Sequence, residues 1–144
     1  MKVRNDFVTN SSSSSFVIAY RTEAEIDEET AKRYPFVKLY PKLIEALINA
    51  VDYCDTCVAD VLTTQEEYDK YFIDRYGWKN HTVKEIIEDD EYYRREYEEA
   101  SKYIAKGYSI MYKCVSNSDS ILESFIKTLS EGNDGFIVIE GGEC

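Results

Sequence analysis

The chain has 144 residues, of which 44% are hydrophobic; that is enough for one domain with its own core and argues against general disorder. A formal net charge of −11 sets the body against phosphate backbones, which disfavours direct nucleic-acid binding and favours basic protein partners. No charge-free apolar run is long enough for a membrane helix, and the polar, serine-rich start has no secretory apolar region, so we expect a cytoplasmic protein whose four cysteines are reduced.

The head reads Met1-Lys2-Val3-Arg4-Asn5-Asp6-Phe7-Val8-Thr9-Asn10, then five serines at 11–15, then Phe16-Val17-Ile18-Ala19-Tyr20. Its flanks are apolar and β-prone, which predicts an ordered loop between two short strands rather than a flexible linker. The serines have two readings. They are a row of hydroxyls and amides able to cradle an anion or meet a partner, or a polar strand connection that satisfies its own backbone. The stretch from Arg4 to Ile18 resembles a serine-run head carried by many otherwise dissimilar small proteins of bacteria and their phages, with Asp6 where that head has glycine. The resemblance covers about the first eighteen residues; it implies a bacterial or phage source and no activity.

Thr22-Glu23-Ala24-Glu25 has the form of a capping box and predicts a short acidic helix to about residue 33, ended by Pro35. Pro41 suits the first turn of a second helix. From Leu43 to Leu62, apolar residues recur at three- and four-residue steps, which predicts a long core helix over 41–62. Thr64-Gln65-Glu66-Glu67 opens another helix, closed at Gly77, carrying Tyr68, Tyr71 and Phe72. Thr82-Val83-Lys84-Glu85 opens the longest and most acidic helix, closed at Gly107, with Ile86, Tyr93, Tyr97, Ala100 and Ile104 on its apolar line; Asp90 falls on that line too. Residues 108–115 read as a strand and 121–129 as a helix before Gly132. Phe136-Ile137-Val138-Ile139 reads as a central buried strand.

These elements predict a single α/β or α+β domain over 1–144: a head at 1–20, a mainly helical middle at 22–106 and a βαβ unit at 107–140. Its parallel strands would join strand 16–20 in a small mixed sheet of three to four strands, packed with several helices.

Candidate chemistry is sparse. Cys54-Asp55-Thr56-Cys57 is a Cys-x-x-Cys which, with Cys114 and Cys144, could give zinc four thiolates, but the spacing lacks the two close pairs of a ribbon or finger. On the helical reading, Cys54 and Cys57 are core residues in mid-helix, where no helix N-terminus lowers a thiol pKa. His81 is the only histidine; it could pair with Glu85, yet it lies beside the Thr82 cap and no second histidine completes a catalytic pattern. No phosphate-binding glycine motif is present, and no cofactor is implied. An enzymatic role is therefore disfavoured.

Two surfaces remain. The acidic helix offers Glu88, Asp89, Asp90, Glu91, Glu96, Glu98 and Glu99, with Tyr92 as an aromatic anchor, to a partner with a basic surface. This predicts a small accessory or inhibitory protein, a DNA mimic aimed at a nucleic-acid-binding host defence enzyme being one form. The alternative is a ligand-binding or enzymatic site. If strand 16–20 runs antiparallel to the C-terminal strands, then Asn10, Ser11, Ser12 and Ser13 meet Asn117, Ser118 and Asp119 at one edge of the sheet.

Overall fold

Phe16, Val17, Ile18, Ala19 and Tyr20 are all buried, and a strand that is apolar on both sides needs cover on both sides. They end strand β1 (Ser13–Tyr20) in a computed structural model that describes residues 13–22, 27–35, 39–50, 59–77, 81–116 and 120–141. The last serines of the run are thus strand, while Phe7 and Val8 lie outside the described residues. The sheet order is β2 (Asp60–Leu62), β3 (Ser109–Ser116), β1, β4 (Phe136–Gly141). Tyr20 stands opposite Ser109 on one side and Phe136 on the other.

Every neighbouring pair is antiparallel, so the pairing is not mixed. Because β3 and β4 both oppose β1, they run parallel to each other. With α6 (Ser120–Ser130) between them they form the expected βαβ crossover, split by β1. Among the described residues β4 is an edge strand, not the central strand its apolar run predicts. Phe136 and Val138 enter one hydrophobic cluster, whereas Ile137 and Ile139 pack against the other. Helices on both faces suffice to make every side of an edge strand apolar.

On one face, α2 (Tyr40–Asn49) and α6 cover Phe16, Ile18, Met111 and Phe136 with Ile44, Leu47, Ile126 and Leu129. On the other, α3 (Gln65–Tyr76), α4 (Val83–Asp89) and α5 (Glu91–Ala105) cover Val17, Ala19 and Ile110 with Tyr68, Phe72, Ile86 and Ala100. The architecture is α+β in three layers. The short α1 (Glu28–Arg33) joins the turn after α6: Asp27 N–H donates to the Gly132 carbonyl at 3.2 Å and Arg33 pairs with Glu131 at 2.7 Å.

Three helix expectations are corrected. The cap of α1 is Asp27, whose carboxylate accepts from Thr30 N–H at 2.7 Å, rather than Thr22. The helix over 41–62 stops at Asn49. The buried Lys113 ammonium takes the Ala50 carbonyl, Ala59 N–H returns to Ile48 at 2.9 Å, and Asp60–Leu62 pairs with β3 as a strand. The acidic helix is two helices. Asp90, extended at φ −145° and ψ 122°, ends α4 and caps α5 by accepting from Tyr92 N–H at 2.7 Å. A short polar side chain that competes for backbone hydrogen bonds favours a cap over a helix interior. The boxes at Thr64/Glu67 and Thr82/Glu85 and the ending at Gly77 are as expected.

Candidate functional site

The break at Asp90 builds a corner. Glu88, Asp89, Asp90 and Glu91 are all exposed there, and beside them Tyr92 is 50% exposed. The Tyr92 hydroxyl donates to Glu140 of β4 at 2.7 Å, which adds a carboxylate to the corner and ties it to the sheet edge. Glu98 is exposed and Glu99, half-buried, is bridged to Lys102 at 3.1 Å. Glu91 lies 3.8 Å from Arg94. The Asp90 carboxylate is engaged by the Tyr92 amide, so its charge serves the helix start as well as the surface.

Glu96 is the exception, and it does not belong to this surface. It is 1% exposed. Its Oε2 accepts from the Tyr68 hydroxyl at 2.7 Å and its Oε1 from the Tyr76 hydroxyl at 2.5 Å. Burial raises its pKa above the usual carboxylate range, opposed by the bonds from Tyr76 and Tyr68 and by nearby Arg75. Burial, with the Glu96 charge beside them, also pushes both hydroxyls far above the tyrosine range, so the tyrosines donate and the carboxylate accepts. The spacing held the signal: Glu96 is three residues after Tyr93 and four before Ala100, within the arc that faces the core.

Around Glu96, Tyr68 is buried and Tyr76, Tyr93 and Tyr97 are half-buried. Tyr76 stacks on Tyr93 at 4.3 Å between ring centroids, and Phe72 meets Tyr76 and Tyr97 at 5.1 and 5.0 Å. Tyr97 donates to Asp69 at 2.6 Å. Arg75 lies over the Tyr112 and Tyr76 rings at 4.2 and 5.2 Å. This aromatic layer joins α3 to α5 and to the sheet; Tyr92, edge-on to Tyr93 at 5.9 Å, stands at its outer margin.

The direction of β1 meets the condition for a polar edge: Ser13 pairs with Ser116, and Phe16 stands opposite Gly141. Asn10, Ser11, Ser12, Asn117, Ser118 and Asp119 lie outside the described residues, as do Cys54, Cys57 and Cys144. Cys114 is a free, half-buried thiol on β3, 3.3 Å from the Tyr112 hydroxyl and 3.7 Å from Ser15 Oγ. Among the described residues no group of three or more His, Cys, Asp or Glu side chains could hold a metal ion, and no helix is long and apolar enough to cross a membrane. The Glu85 carboxylate, one turn beyond His81, accepts from Thr82 N–H at 3.0 Å and from its hydroxyl at 3.1 Å, closing the capping box.

Comparison with protein-family models, curated proteins and solved structures finds no match to this chain.

Proposed function

We propose that this protein acts by binding, as an acidic accessory or inhibitory protein that covers a basic surface of a protein partner. One observation carries the reading: an exposed tyrosine stands at a helix corner among carboxylates that project into solvent. An aromatic anchor ringed by charge is how interfaces combine burial with specificity. Glu88, Asp89 and Glu91 supply the field, Tyr92 the contact area, and Glu140 orients the Tyr92 ring. A partner whose basic groove otherwise takes nucleic acid suits this chemistry, which is the DNA-mimic form of the proposal.

The test is capture from lysate by the wild-type chain and by a Glu88→Lys/Asp89→Lys/Glu91→Lys variant, at low and high salt. A basic protein that salt releases and the variant does not capture supports the reading. Equal capture by the variant, or binding indifferent to salt, overturns it.

A second reading rests on the antiparallel direction of β1, which brings the last serines of the run to the end of the sheet where β3 and β4 finish. A small anionic ligand at that edge would raise the melting temperature of the chain in a screen of nucleotides and metabolites; absence of any shift would remove it.

A further inference from the structure

We propose that the trough between β2 and α3 takes an extended, basic peptide segment of a partner protein, which adds to the sheet as a new strand beside β2. The geometry is that of a strand edge with a helix for a wall. β2 pairs with β3 on one side only, and no described residue pairs with its other side. Such an edge presents unpaired N–H and C=O groups to an incoming strand. Glu67, Lys70, Tyr71 and Asp74 stand at i, i+3, i+4 and i+7 on α3, one face of the helix, and with Asp60 and Val61 they line a groove of about 420 Å³.

Chemistry selects the occupant. Three acidic residues and one lysine line the groove, and Val61 is 37% exposed beside them; Glu67 is held by its cap bonds to Thr63 and Thr64, which leaves Asp60 and Asp74 to meet a cation. A strand alternates its side chains, so a segment alternating lysine or arginine with small apolar residues sets cations against Asp60 and Asp74 and an apolar row against Val61. A second copy of the chain, with its net charge of −11, would bring carboxylate against carboxylate. The trough lies at the β2 edge, whereas the Tyr92 corner is tied to Glu140 on the opposite edge strand, so the two surfaces stand or fall separately.

The probe is a short dye-labelled peptide alternating lysine and valine, followed by fluorescence anisotropy with the full chain. We expect saturable binding, weakened about tenfold or more when alternate peptide nitrogens are methylated, which keeps the charge and removes backbone donors. The Asp60→Asn/Asp74→Asn variant, similar in size, should lose about tenfold or more, with its circular dichroism unchanged. The Glu88→Lys/Asp89→Lys/Glu91→Lys variant should bind the probe like wild type. No binding, equal binding of the methylated peptide, or indifference to the Asp60/Asp74 changes each overturns the proposal. Self-association in sedimentation that the Asn variant abolishes would assign the edge to a second copy instead.

Discussion

The Tyr76 hydroxyl and the Glu96 carboxylate meet at 2.5 Å across the interface of α3 and α5. With Tyr68 on the other oxygen, the contact converts a buried charge, costly by itself, into a satisfied one. Replacing Glu96 by alanine strands two buried hydroxyls, so Glu96→Ala should lower unfolding stability by about 3 kcal/mol. Glu96→Gln, which keeps an acceptor, should cost about 1 kcal/mol. Urea unfolding measures both; an alanine variant as stable as wild type would mean that the tyrosines find other acceptors.

The same site fixes the sign of a pH effect. Glu96 has its folded pKa raised above the ordinary 4.5. Its stabilising contribution is therefore fully present below that value and lost as pH rises through the folded pKa. The stability of wild type relative to Glu96→Gln should be greatest in acid and shrink toward neutrality. The capping carboxylates Glu67, lowered by hydrogen bonds from Thr63 and then Thr64, and Glu85, lowered by those from Thr82, behave oppositely. Their contribution is present above the ordinary value and lost as pH falls, so Glu67→Ala should cost less in acid than at neutral pH. Unfolding curves across this range distinguish the two trends.

At the corner, Asp90→Ala removes the side chain that caps α5. We expect a loss of about 1 kcal/mol with helix content retained, seen as a shift in denaturation midpoint at unchanged slope. Asp90→Asn, which caps as well, should restore most of it.

Gly132 has φ +61°, and an added Cβ would press into the Asp27 carboxylate and the Thr30 hydroxyl. Gly132→Ala thus meets both backbone strain and a clash with the α1 cap, and should cost about 2 kcal/mol. A melting temperature equal to wild type would show that α1 can withdraw without penalty.

Local signals in the sequence were sufficient where one segment decides its own structure. The Thr64/Glu67 and Thr82/Glu85 boxes satisfy each other within one turn, so four residues define each helix start. Asp90 interrupted an apolar line, and the break lies there because its side chain caps the first turn of α5. β2 was not legible: Val61 and Leu62 fit the helical spacing of α2, and only their pairing with Met111 and Ile110 makes them a strand. Glu96 looked like its exposed neighbours because a carboxylate is assigned to solvent until tyrosines from another helix are known to reach it. The corner around Tyr92 was readable as acidic and aromatic, whereas the trough required both β2 and its position beside α3.

The position of β1 in the sheet also sets an order of events in the cell. Its partners lie in the last third of the chain, so Phe16, Ile18 and Tyr20 leave the ribosome long before the strands that pair with them. Until β3 has emerged at residue 116 this apolar segment has no ladder on either side, and its second ladder waits for β4 at residues 136–141; pairings this distant in sequence form slowly. The nascent chain thus carries an unpaired strand for most of its synthesis, and fragments ending before β3 have no sheet to build.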